Sequence, residues 1–135
     1  MAGTAAKTAH VNDIPTLAPG EGEPDWKPIR LHFGIEAFGV NVWRANADGQ
    51  LVIERHTETE DSDTGHEELY FVSDGHATFV VDGEEIDAPA GTFIFVPDPG
   101  TVREATAKTA GTTVLIVGNT PGEAFRPSAW ETKHA

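Results

Sequence analysis

Cysteine is absent from the chain, and that absence removes disulfide frameworks, thiolate zinc sites, iron–sulfur clusters and a cysteine nucleophile together. It also suits a reducing, cytoplasmic setting. Basic residues are scarce. Nine Lys and Arg stand against 22 Asp and Glu, a formal net charge of −13, which repels a phosphate backbone and argues against nucleic acid as a partner. Long apolar runs are missing as well: no stretch approaches the roughly 18 residues of a membrane helix. The opening MAGTAAKTAHVNDIPTLAPGEGEPDW lacks the continuous apolar block of a secretory signal, so neither membrane nor export is expected. There is no Gly-x-Ser-x-Gly elbow, phosphate loop or dinucleotide fingerprint, and the serines Ser62, Ser73 and Ser128 have no evident base partner.

What is present suffices for one domain, since a chain of 135 residues can bury about two-thirds of its unfolded surface. Residues 1–27 are rich in Ala, Thr, Pro, Gly and Glu without a sustained period and read as an arm, with Ile14 and Leu17 able to dock. Residues 28–120 form the domain, and 121–135 a tail whose Phe125 and Trp130 cap a core or a subunit seam. From Pro28 onward, short apolar runs recur about every ten residues between Gly, Asp, Asn and Pro, the spacing of an all-β sandwich or barrel.

Strands are expected at Ala37–Arg44, Gln50–Glu58, Leu69–Ser73, Ala77–Val81, Glu85–Asp87, Thr92–Val96, Arg103–Ala107 and Thr112–Val117. Asp-Gly pairs at 48–49, 74–75 and 82–83 mark turns. Helical periodicity is poor, and only a short turn over Pro28–Gly34 is expected. Phe93–Val96 and Val114–Val117 are apolar without alternation. One face of each therefore meets the barrel interior and the other a second sheet or a second subunit, so a homodimer is expected.

The segment Glu68-Leu69-Tyr70-Phe71-Val72-Ser73-Asp74-Gly75 resembles the end of the first cupin motif, a Glu and, after six residues, a Gly. Gly91-Thr92-Phe93-Ile94-Phe95-Val96-Pro97 resembles the start of the second, and the fifteen residues between Gly75 and Gly91 hold the hairpin at Val81–Glu84. The resemblance spans roughly 38–118 and implies a double-stranded β-helix, a jelly-roll barrel with the ligand at its open end. Two departures stand out. Asp61–Thr64 occupy the positions where the family's His-x-His belongs. Pro97-Asp98-Pro99-Gly100-Thr101-Val102-Arg103 carries one extra residue and places an arginine at the fourth ligand position, where a permanently protonated group cannot bind metal.

His56-Thr57-Glu58 supplies an alternative to the missing His-x-His, with a lengthened loop from Thr59 to Gly65. Strand alternation puts Glu54, His56 and Glu58 on one face, opposite Leu51 and Ile53, and Glu68 and Tyr70 on the inner face of the next strand, with His66 at its entrance. His56, Glu58, His66 and Glu68 would form a mixed imidazole–carboxylate site suited to divalent Mn, Fe, Ni or Zn. Alternatively, Glu68 pairs with Arg103 in a metal-free pocket, or Arg103 clamps a substrate carboxylate. Trp43, Tyr70, Phe93 and Phe95 are candidates for the apolar wall. Three functions stay open: a metal-dependent oxygenase, isomerase or lyase acting on a small organic acid, a metal-free small-molecule sensor, and a scaffold with a vestigial site.

Overall fold

The computed structural model describes residues 5–17, 20–59 and 64–134. Nine strands are described: β1 (Asp25–Lys27), β2 (Gly39–Arg44), β3 (Leu51–His56), β4 (Glu67–Asp74), β5 (His76–Val81), β6 (Glu84–Pro89), β7 (Phe93–Val96), β8 (Arg103–Ala107) and β9 (Thr113–Asn119). Two short helices, α1 (Ile29–Phe33) and α2 (Ala129–His134), flank them. The strands form a five-stranded sheet in the order β1-β2-β9-β4-β7 and a four-stranded sheet in the order β3-β8-β5-β6, with antiparallel pairing throughout. Two such sheets, exchanging strands in sequence order, make the expected jelly roll.

Local chemistry sets the turns. Asp82 and Gly83 both have positive φ (51° and 79°) in the two-residue β5–β6 connection, the conformation an Asp-Gly pair tolerates. At Gly75, which carries the chain from one sheet to the other, a Cβ would lie 2.4 Å from Thr112 Oγ1 and 2.7 Å from its Cα. Only glycine fits there.

The core lies between the sheets. Tyr70, Val72, Ile94, Val96, Val114 and Ile116 face inward from the larger sheet, and Ala77, Phe79, Ala88, Ala105 and Ala107 from the smaller. The alanines leave room for the large rings, and Tyr70 meets Phe79 edge-on at 5.5 Å. Burial of both Val52 and Ile53 breaks the expected alternation of β3. Two register shifts in its pairing with β8, between Leu51 and Ile53 and between Ile53 and His56, account for this.

The opposite face of the larger sheet carries two unbroken apolar rows. Val42, Leu115, Phe71 and Phe93 are cross-strand neighbours, as are Val40, Val117, Leu69 and Phe95. α1 packs beside β2, where Val40 and Val42 are buried, whereas Phe93 and Phe95 at the other end are 62% and 56% exposed.

Each expected strand is present to within one or two residues, as is the turn at Pro28–Gly34, a single helical turn closed by left-handed Gly34. Two elements depart from expectation. Asp25–Lys27, placed in the arm, pairs with β2 and buries Trp26 almost completely, because three residues are too few to show a period. The tail forms α2, in which Ser128 Oγ accepts from the Glu131 amide and Trp130 packs on Trp26 and Trp43 at 4.8 and 5.5 Å. No described helix is long and apolar enough to cross a membrane.

Candidate metal and ligand site

The two sheets bring opposite charges together. His56 ends β3 and is the cross-strand partner of Arg103, the first residue of β8. Glu68 projects inward from β4 in the facing sheet. Glu58 follows two residues after His56 and is held by its amide donating to the Pro99 carbonyl at 2.8 Å, while Gly65 N–H closes the intervening loop onto the Glu58 carbonyl at 2.9 Å. Residues 60–63 of that loop, which include Asp61, Ser62 and Asp63 of the displaced motif, lie outside the described residues.

His56 Nε2 lies 3.0 Å from Glu58 Oε2 and 3.7 Å from Glu68 Oε1. Arg103 Nη1 lies 3.1 Å from Glu68 Oε1 and 3.8 Å from Glu58 Oε2, and Nη2 donates to the Asp98 carbonyl. Tyr70 OH donates to Glu68 Oε1 at 2.5 Å and Thr64 Oγ1 to Glu58 Oε1 at 3.2 Å. Two carboxylates thus face one guanidinium and one imidazole. Such a buried cluster is costly unless balanced.

Burial of the ring would lower the His56 pKa, but hydrogen bonds to Glu58, Glu68 and the Glu54 carbonyl outweigh it and raise the pKa from 6.5 to about 10. Burial would raise the Glu68 pKa, yet His56, Tyr70 and Arg103 together hold it below the usual carboxylate range. Burial, reinforced by the charge of Glu68, pushes the Tyr70 phenol well up. In the absence of metal the cluster is therefore close to neutral, with His56 carrying a proton.

A divalent cation would have to take the place of that proton. His56, Glu58 and Glu68 each present one ligand atom, all within 4.8 Å of one another. His56 Nδ1 sits 2.7 Å from the Glu54 carbonyl, so Nδ1–H is the donor and Nε2 faces the carboxylates, the orientation that second-shell carbonyls impose on metal-binding histidines. On donor type and convergence these residues fit a divalent metal.

A cavity of about 530 Å³ opens beside the cluster, walled by Asn41, Trp43, Tyr70, Ile116 and Trp130, with His56 and Glu68 at its polar end and Arg55 on its rim. A smaller one of about 90 Å³ lies on the far side of Glu68, bounded by Glu58, His66, Phe125 and Glu131. Gly39 and Gly118, directly paired across β2 and β9, leave its floor without side chains.

The expected site residues divide. His56, Glu58, Glu68, Tyr70 and Arg103 come together, and Trp43 lines the larger cavity. His66 is not among the three converging ligand residues: it is buried with Nδ1 3.8 Å from Glu58 Oε1, packs on Phe125 at 5.2 Å and lines the smaller cavity beside Glu58 and Glu68. Arg103 is fully buried, does not line the larger cavity and pairs with Glu68. Phe95 and Phe93 do not line the wall; their register places them with Leu69 and Phe71 on the outer face. Trp130 is the wall residue the sequence left in the tail, signalled only as a large aromatic in need of a surface.

No family model and no curated protein matches the sequence. Solved structures do match the fold. A sugar phosphate isomerase from a cupin superfamily, from Silicibacter pomeroyi, aligns with a TM-score of 0.65 at 19% identity, over 84% of this chain and 75% of that one. A predicted oxalate decarboxylase from Thermotoga maritima aligns at 0.63 and 17% identity, over 84% and 99%. A provisionally assigned sugar phosphate isomerase from Acidithiobacillus ferrooxidans aligns at 0.59 and 18% identity over 70% of this chain, which spans only 58% of that protein's length. The chain has the cupin fold.

Proposed function

We propose that this cupin-fold chain binds a divalent transition metal through His56, Glu58 and Glu68 and a small anionic organic molecule in the adjoining cavity. The observation that carries the reading is the convergence of three ligand atoms within 4.8 Å, with the one histidine nitrogen not facing them taken up by the Glu54 carbonyl. Mixed imidazole and carboxylate donors suit Mn, Fe, Ni or Zn without selecting among them. Bound there, the cation would polarise a ligand oxygen as a Lewis acid.

The chain's own residues supply the rest. Arg103 and Tyr70 hold Glu68 in place, and Trp43, Tyr70 and Trp130 give the ligand an apolar wall. Exchanging the His56 proton for a divalent cation takes the neutral cluster to one net positive charge, which a small anion in the cavity would neutralise. Sugar phosphates and oxalate, named for the structural neighbours, are anions of this kind.

One observation favours a second reading, a metal-free sensor pocket: Arg103 Nη1 already lies 3.1 Å from Glu68 Oε1, and His56 carries a proton between the carboxylates. Elemental analysis of protein purified without a metal-affinity step separates the two. About one transition metal per chain, lost in Glu68→Ala, together with a lower melting temperature on adding chelator, is the expected result. Protein free of metal that does not take up Mn²⁺, Co²⁺ or Zn²⁺ on titration, and melts identically with chelator, would establish the metal-free reading.

A further inference from the structure

We infer that Asn41 and Ser128 are the donors that fix a ligand in the larger cavity, and that the ligand they select is a small monocarboxylate with an apolar body. The inference rests on the proposed reading of that cavity as the ligand site. Asn41 stands between Val40 and Val42 in the middle of β2, although asparagine is a poor strand former. Its side chain lines both the larger and the smaller cavity. A residue that breaks the local preference of its strand at a cavity wall is expected where function overrides packing.

Hydrogen bonding fixes which end of the carboxamide is on offer. Trp26 is almost completely buried, and its indole Nε1–H, which can only donate, lies 3.0 Å from Asn41 Oδ1. The oxygen is thereby taken and the amide nitrogen is left over. None of the described residues accepts from it. Ser128 borders the same two cavities; its Oγ accepts from the Glu131 amide at 3.1 Å, which leaves the hydroxyl proton to donate. Gln50, the other amide on the wall, has nothing to offer: Nε2 donates to the Gly22 carbonyl and Asn46 Oδ1, and Oε1 accepts from the Asn46 amide.

Charge decides the ligand class. Two neutral donor residues select an acceptor group, a carboxylate or a phosphate. With a divalent metal in place of the His56 proton, the cluster carries one net positive charge, which one carboxylate balances. A phosphate monoester is close to doubly charged at neutral pH and exceeds that balance. It would also find only one guanidinium, that of Arg55, against the carboxylates of Glu23 and Glu54, all three exposed on the cavity wall. Trp43, Tyr70 and Trp130 give the apolar body of the carboxylate its surface.

The test is calorimetric titration of the full chain, Co²⁺-loaded and metal-free, with three probes of similar shape: benzoate, phenyl phosphate and benzyl alcohol. Benzoate should bind at least about tenfold more tightly than the other two. Asn41→Asp keeps an oxygen for Trp26 Nε1 and the shape of the side chain but replaces the donor with an acceptor. It should weaken benzoate at least about tenfold, the worth of one hydrogen bond to a charged group, with Co²⁺ stoichiometry, melting temperature and benzyl alcohol affinity unchanged. The uncharged variant Ser128→Ala should lower the ratio of benzoate to benzyl alcohol affinity as well. Failure of the metal reading shows separately, as a chain that takes up no Co²⁺ yet still loses benzoate on Asn41→Asp, a result that upholds the anchor. Benzoate that binds neither form, phenyl phosphate or benzyl alcohol bound as tightly as benzoate, an Asn41→Asp variant that binds benzoate like wild type, or a loss confined to Asn41→Asp and so explained by its added charge, would each overturn the inference.

Discussion

Metal uptake should release close to one proton from His56. The ring is held as an imidazolium by Glu58 and Glu68, with a pKa of about 10 against an ordinary 6.5, and a metal can bind only after Nε2 has lost its proton. The direction in the metal-free protein follows from linkage: the raised value contributes stability that is fully present below pH 6.5 and is lost as pH rises toward about 10. For the metal the dependence is reversed. Near pH 7, stripping the proton costs roughly 4 kcal/mol, so apparent affinity sits about a thousandfold below its intrinsic value. It should climb about tenfold per pH unit and level off only near pH 10, where the proton is already gone. Calorimetric titration with Mn²⁺ or Co²⁺, repeated in buffers of different ionisation enthalpy, counts the proton directly, and repetition between neutral and moderately alkaline pH gives the slope. His56→Gln should bind metal more weakly and with little pH dependence. A wild-type affinity that is flat with pH, with no proton released, would refute both the charge state assigned to His56 and its place among the ligands.

Arg103→Met should destabilise the fold by about 3–5 kcal/mol, since it leaves Glu68 and Glu58 buried with less compensation; chemical denaturation checks this, and a loss well under 1 kcal/mol would contradict the pairing. Tyr70→Phe removes one donor to Glu68 at a cost of about 1.5–3 kcal/mol, and acid unfolding should begin at higher pH, because the carboxyl loses part of what depresses its pKa. Gly75→Ala should expose or shift the β4–β5 crossing, with a large fall in melting temperature, since its Cβ would meet the Thr112 backbone at 2.7 Å. Trp130→Ala should cut small-ligand affinity while barely changing metal stoichiometry, because Trp130 lines the cavity without touching the ligand cluster.

Much of the barrel was legible because strand periods, Asp-Gly turns and the two motif glycines are local signals. Glu68 was legible for the same reason: it opens an apolar strand at a fixed distance from Gly75. His56 and Glu58 required a loop whose length the sequence shows but whose path it does not. Their convergence depends on the bulges in β3, which no alternation rule places. Phe93 and Phe95 illustrate the opposite failure. A strand apolar on both sides states that both faces want cover but not which residue faces inward, and that choice was made by the register with Leu69 and Phe71. Trp130 was hidden because its neighbours in space, Trp26 and Trp43, lie far from it in sequence.

The glycine pair at Gly39 and Gly118 carries one more consequence. A Cβ on Gly39 would stand 2.9 Å from the Phe125 ring, and one on Gly118 would stand 2.8 Å from the Glu67 carbonyl and 3.1 Å from Glu68 Cγ. The tail therefore sits in a socket cut by two missing side chains, and Phe125 works as a stopper. Phe125→Ala would leave the barrel's strands and the Trp130 wall in place but widen the compartment behind Glu68, where the ring now packs on His66.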